Sequence, residues 1–187
     1  MALSSTPSIA VVVTVAAVLP LFVPAATSAQ DRHGTVFGTV GFASIGHADS
    51  EQGKAPIFGG GAAFRLTPRL VVEGDVHGAR VRDVFGQQHH TFNETTITGS
   101  LLFRSSPQGR VHVTAGGGLA FQRAHSDFEL SPGDRIVQTE TIRLWHGRGG
   151  VEWDASDRVA VMTDGVLWFG PGIDWVLGGR VGIGYRF

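Results

Sequence analysis

The sequence has no cysteine and a single lysine, Lys54, and its first 29 residues contain neither a charged side chain nor a glycine. Without cysteine, a disulfide-stapled scaffold and a thiolate-bound metal domain are both excluded. Fifteen basic residues against sixteen acidic ones leave a formal net charge of −1, which argues against nucleic-acid binding by bulk charge. No Pro/Gly/Ser-rich linker divides the 187 residues, so one domain is expected. What is present is apolar and small. The chain is 42% hydrophobic with 12 Phe, too apolar for disorder. All 27 glycines fall after residue 29, where they make up about a sixth of the chain against an ordinary usage of about 7%.

The first segment reads as an export signal. Ile9 to Val23 is apolar apart from Thr14 and Pro20, and is followed by Pro24-Ala25-Ala26-Thr27-Ser28-Ala29-Gln30. Signal peptidases require small side chains one and three residues before the cut, which Ala29 and Thr27 supply. The expected division is therefore a signal peptide at 1–29 and a mature domain at 30–187. No positive side chain precedes the apolar stretch. A retained anchor is the alternative, but it would be short for a bilayer helix and broken at Pro20 and Pro24. No later segment is apolar for long enough to form such a helix.

The mature chain has almost no helical period. Apolar residues recur at every second position, as in strands with two different faces. Leu70, Val72, Gly74 and Val76 alternate with Val71, Glu73, Asp75 and His77; the same pattern runs through 111–122, 159–169 and 175–187. Weaker runs lie at 35–45, 57–66, 93–104 and 138–154. Eight strands of about 9–11 residues each match the length that crosses a membrane at a tilt. In the first, Val36, Val40 and Phe42 are placed outward. Thr67-Pro68-Arg69, Ser105 to Gly109 and Ala155-Ser156-Asp157 have turn chemistry. Polar stretches at about 46–56, 79–92 and 124–136 read as long loops, and Gly170 to Ile173 as a short one. Tight turns on one rim and long loops on the other describe an outer-membrane barrel with both termini on the periplasmic side.

Alternation alone does not say which face meets lipid, since a soluble barrel that binds a small apolar ligand has its apolar face inside. Glycine and charge on the other face favour a cramped polar interior. Trp145 and Trp153 share a phase eight residues apart, about the separation of two interfacial aromatic girdles. Phe103, Tyr185 and Phe187 are expected in the periplasmic girdle, and Phe121, Phe169 and Trp175 in the outer one.

The chain ends Gly182-Ile183-Gly184-Tyr185-Arg186-Phe187. The aromatics Tyr185 and Phe187 resemble the C-terminal assembly signal of bacterial outer-membrane proteins, which the assembly machinery reads by strand addition. With Arg65 to Gly74, the segment from about 34 to 187 resembles the small outer-membrane β-barrel families related to outer-membrane proteins A and X. The resemblance implies an all-β, eight-stranded antiparallel up-and-down transmembrane barrel in the bacterial outer membrane, with lipid and the assembly machinery as partners. It does not fix an activity, because one architecture hosts many functions. No periplasmic domain follows Phe187, so a peptidoglycan-tethering role is not expected.

The inward phase carries Arg65, Glu73, Asp75, Glu94, Arg104, Arg110, Arg148, Glu152, Asp164, Arg180 and Arg186. An eight-stranded barrel is just wide enough for side chains to fill it, so these charges should pair and close the lumen. The expected network is Glu73, Asp75, Arg148, Glu152, Asp164 and Arg180. Counting across the turns places Trp153 opposite Val159 and Gly170 opposite Asp174. Arg148 then falls opposite Asp164, and Asp164 opposite Arg180, in one row.

Other constellations are weaker. His89, His90 and His77 lack metal-ligand spacing. His125-Ser126-Asp127, in a polar loop, is the nearest match to the Ser–His–acid set of lipid A deacylases, a family this chain resembles in size and terminal aromatic; neighbours in sequence cannot form a triad among themselves. Gly116-Gly117-Gly118 opens no helix and is no phosphate loop. The expectation is a monomeric, non-enzymatic barrel without cofactor or nucleic-acid partner, with a structural or surface-interaction role in which its loops can bind an extracellular ligand. Two alternatives stay open, a lipid-modifying outer-membrane enzyme and a narrow gated pore.

Overall fold

A computed structural model describes residues 34–45, 53–85, 88–105, 109–131, 134–171 and 173–187. The expected signal peptide, with Thr27 and Ala29 at its cleavage site, lies outside the described residues. Eight strands follow in order: β1 (Gly34–Ile45), β2 (Gly53–Thr67), β3 (Leu70–Phe85), β4 (Gln88–Arg104), β5 (Val111–Ser131), β6 (Asp134–Asp154), β7 (Val159–Gly170) and β8 (Ile173–Arg186). Each pairs antiparallel with its neighbours, and β1 closes on β8 from Thr35↔Arg186 to Ser44↔Leu177. The eight-stranded up-and-down barrel expected from the alternation is the fold.

The two faces sort as the alternation indicates. Val40, Phe42, Ile97, Val113, Trp145, Leu177, Val181 and Ile183 are exposed, while Glu73, Asp75, Arg148, Asp164 and Arg180 are buried. This inverts a soluble protein, and only a lipid surroundings makes the apolar exterior favourable. The expected girdle residues Phe103, Phe121, Trp145, Trp153, Phe169 and Tyr185 all face outward. The side chain of Trp175 lies outside the described residues. Phe187 differs: it is half-buried and packs edge-on against Phe64, with ring centroids 6.4 Å apart. A Cβ on Gly34 would lie 2.3 Å from the Phe187 ring. Gly34 thus makes room for the last residue to lie across the β1–β8 seam. Gly34→Val should expel the ring and lower the yield of folded barrel, read as the heat-shifted band on a gel.

Two of the long loops are corrected. The stretches 79–92 and 124–136 are mostly strand: Phe85 pairs with Gln88, and Ser131 with Asp134. β5 and β6 each run 21 residues, about twice the length a membrane crossing needs. Beyond the lipid both strand faces meet water. The backbone ladder continues there, but the apolar alternation that marks a strand in sequence does not.

At the opposite end the turns are short. Thr67 Oγ1 accepts hydrogen bonds from the amides of Arg69 (3.3 Å) and Leu70 (3.0 Å). Ser156 Oγ does the same for Arg158 (3.3 Å) and Val159 (3.1 Å). This second turn is wider than counting suggests and shifts the register by two residues. Trp153 faces Val161 rather than Val159. Past Trp168 the β7–β8 register also shifts, so Gly170 faces Ile173 rather than Asp174.

Candidate functional site: a layered lumen

Inward side chains form layers along the barrel axis. Nearest the turn rim, Glu152 and Asp154 of β6 meet Arg65 of β2, Arg104 of β4, Arg186 of β8 and His112 of β5. Arg104 donates to Glu152 at 3.1 Å and lies 3.6 Å from Asp154. Arg186 pairs with both carboxylates. His112 Nε2 lies 3.3 Å from Asp154, and Arg65 lies 3.9 Å from Glu152.

The middle layer is built by Glu73 and Asp75 of β3, Arg148 of β6, Asp164 of β7 and Arg180 of β8. Arg148 pairs with Glu73, donates to Asp164 at 2.8 Å, and lies 3.7 Å from Asp75. Arg180 donates to Asp164 through Nε at 2.9 Å and to Asp75 through Nη1 at 3.3 Å. Every one of these five side chains is buried. His77 Nδ1 lies 3.1 Å from Asp75, and His146 Nε2 lies 2.8 Å from Ser100 Oγ.

Counting across the turns anticipates one of the two direct oppositions in this layer. Asp164 stands opposite Arg180, but Arg148 stands opposite Val166, and Asp164 faces Gly150. Gly150 carries no side chain, and the long Arg148 side chain crosses that space diagonally to reach Asp164. Glu152, expected in the same network, belongs instead to the turn-rim layer. Arg110 is also corrected: it is exposed in the turn before β5. Gly109, at φ +98°, redirects the chain there, so Arg110 does not follow the strand phase.

Between the charged layers, Phe37, Val71, Leu102 and Met162 border a cavity of about 40 Å³. The third layer, toward the hairpin rim, is mainly apolar, with Glu94, Thr96 and Gln122 on the wall of β4 and β5. Ile57, Leu144, Val166, Trp168 and the alanines 43, 55, 79 and 120 are buried together, with Ile142 and Val176 against them. The neighbouring cavity is only about 10 Å³. Trp168 spans the neck: its ring centroid lies 5.4 Å from that of His77, and a Cβ on Gly178 would come within 2.8 Å of it. Sequence reading missed this layer. Trp168 has the inward phase, but an interior taken as polar gave it no partners. The turn-rim layer was half visible, since Asp154 shares the phase of Glu152.

The weaker constellations come apart. His77 faces Thr96, whereas His89 and His90 face Val84 and Asp83 farther along the ladder. Among the described residues no three His, Asp or Glu side chains group as metal ligands. His125-Ser126-Asp127 lies in strand β5, not in a loop, so Ser126 faces away from His125 and Asp127. His125 Nδ1 lies 3.0 Å from Thr139 Oγ1.

Residues 13–165 match the family described as outer membrane protein beta-barrel domain. The chain belongs to that family. It is an integral β-barrel protein of the bacterial outer membrane. Three solved barrels share the fold at low identity. Ail, the attachment invasion locus protein of Yersinia pestis, is 14% identical, with 83% of this chain and 99% of that chain covered and a TM-score of 0.65. Neisserial surface protein A is 15% identical, with coverage of 82% and 95% and a TM-score of 0.61. The N-terminal barrel domain of OprF from Pseudomonas aeruginosa is 15% identical, with coverage of 83% and 98% and a TM-score of 0.53. No curated protein matches the chain.

Proposed function

We propose that this protein is a passive, monomeric outer-membrane barrel, closed to solutes, whose role is structural or lies in surface contact through the β3–β4 and β5–β6 hairpins. The observation that carries the reading is the lumen: two charged layers and one apolar layer in series, with cavities of about 40 and 10 Å³ between them. Those volumes suit a few waters at most. The short turns and the C-terminus face the periplasm in this reading, and the hairpins face outward. Closure of β1 on β8 leaves no free strand edge within the lipid, which favours a monomer. Ail has been crystallised with the heparin analogue sucrose octasulfate, and an extracellular ligand for these hairpins fits the same pattern. No catalysis is assigned: the His125, Ser126 and Asp127 run is split across two strand faces, and Ser100, 2.8 Å from His146, is buried inside the closed lumen. Tyr185 and Phe187 would serve the assembly machinery as the terminal aromatic signal.

Purified barrel in a planar bilayer should show no unitary conductance, and steady ion steps would overturn the closed reading. Lipid A from cells with and without the protein should give identical mass spectra; a lost or gained acyl chain would establish the enzyme reading instead. Phe187→Ser should reduce folded protein in the outer membrane more than Phe128→Ser, and equal yields would remove the assembly role.

A further inference from the structure

Every inward arginine just described is paired with a carboxylate, but among the described residues three outward ones are not. Arg123 continues the outward phase of Leu119 and Phe121 on β5, and Arg143 that of Trp145 on β6; both are exposed. Thr141 faces Arg123, and Phe121 faces Arg143. The two arginines are therefore diagonal neighbours on one wall, about 7 Å apart at the backbone. Arg80 is exposed on the same wall two strands away, where Asn93 and His125 continue its row. No ion pair joins any of the three to a described carboxylate, and the outward positions beside Arg123 are Thr95 and Thr141. Two adjacent guanidiniums without an acid repel each other unless an external anion joins them.

Their height limits what that anion is. They sit directly beyond the aromatic belt of Phe121, Trp145 and Phe169, at the headgroup level on the hairpin side. Below them the same wall is shallow. Gly117 faces Gly147, and Gly149 faces both Ala115 and Gly165. Packing does not demand all of these glycines: a Cβ on Gly147 would meet nothing within 4 Å, and one on Gly149 only a backbone oxygen at 3.9 Å. A charged seat above a shallow apolar furrow fits a lipid with a phosphate head better than a soluble anion.

We propose that Arg123 and Arg143, flanked by Arg80, seat a phosphate monoester of lipid A in the outer leaflet, with its acyl chains along β5–β7 over Gly147, Gly149 and Gly165. A monoester carries up to two charges and three acceptor oxygens, matching two guanidiniums better than the single charge of a phospholipid diester. The proposal rests on the orientation given above, with the hairpins outside.

The test uses full-length protein extracted from outer membranes and native mass spectrometry with added bisphosphorylated lipid A, monophosphorylated lipid A, phosphatidylglycerol or sucrose octasulfate. The native barrel should retain both forms of lipid A, each of which carries a phosphate monoester, above phosphatidylglycerol and sucrose octasulfate. R123Q/R143Q should lose roughly tenfold or more in retention, since each arginine attracts an anionic headgroup. R110Q/R158Q, changed on the turn rim, should match the native protein. Equal retention by R123Q/R143Q and native barrel would overturn the seat. So would equal retention of phosphatidylglycerol, or of sucrose octasulfate, which would make the pair a general anion patch. The heat shift of each variant reports folding. A heat-shifted, non-conducting barrel that ignores lipid A would sink this proposal and leave the closed-lumen reading standing. Loss of retention in R110Q/R158Q alone would place the lipid on the opposite rim and overturn the orientation.

Discussion

Asp164→Ala is expected to destabilise the folded barrel by about 3–5 kcal/mol, the range for removing one partner from a buried ion pair. Asp164 accepts from Arg148 at 2.8 Å and from Arg180 at 2.9 Å, with all three side chains buried. Alanine removes the carboxylate that Arg148 and Arg180 share and leaves each with its other partner, Glu73 for Arg148 and Asp75 for Arg180. Both guanidiniums stay buried with donors left unfilled. Urea unfolding in lipid vesicles measures the loss, with Glu140→Ala at an exposed position of β6 as the reference. Glu140→Ala should shift the midpoint little, since isolated surface charges contribute about 0–1 kcal/mol. Asp164→Asn should fall between the two, because the amide keeps one acceptor oxygen but not the charge. A midpoint for Asp164→Ala equal to that of Glu140→Ala would show that lumen water compensates for the lost carboxylate.

The route from sequence to this site shows what alternation carries and where it stops. The face of each strand was legible, because lipid on one side and a crowded lumen on the other impose opposite chemistry on neighbouring residues. Val181 and Arg180 are adjacent in sequence and face opposite environments. Strand ends were not legible above the membrane, where His125 and Ser126 sit in a ladder whose two faces are both polar. Register was legible only to within the turns. A hydroxyl that captures two amides, as Ser156 does, moves the pairing by two residues without altering the phase. That is why Arg148 and Asp164 shared the expected face but not the expected row. The ion pair forms in spite of the slip, since an arginine side chain is long enough to span a diagonal. The apolar layer was hidden for another reason. Its members come from seven of the eight strands, and no single strand carries enough of it to break the polar reading of that face.

That layer leads to the second large effect. Trp168→Ala should cost about 3–5 kcal/mol, as large-to-small changes at buried aromatics do. The ring is 5% exposed, with Gly178 beneath it and His77 beside it. The strands around it are fixed by backbone ladders and cannot collapse into the space, so the full cavity remains. Small-to-large change at the partner should do comparable harm: Gly178→Val places carbon where the indole lies. Conductance, in contrast, should not change in Trp168→Ala. The neck widens, but the Glu73–Arg148–Asp164–Arg180 layer and, below it, the turn-rim layer of Arg104, Arg186, Glu152 and Asp154 still cross the lumen, and closure in series fails only when every layer fails. Bilayer recordings of Trp168→Ala, Asp164→Ala and the double variant test this, with ion steps expected in none of the three while the turn-rim layer stands. Steps in Trp168→Ala by itself would mean that the charged layers leak and that the indole is the seal.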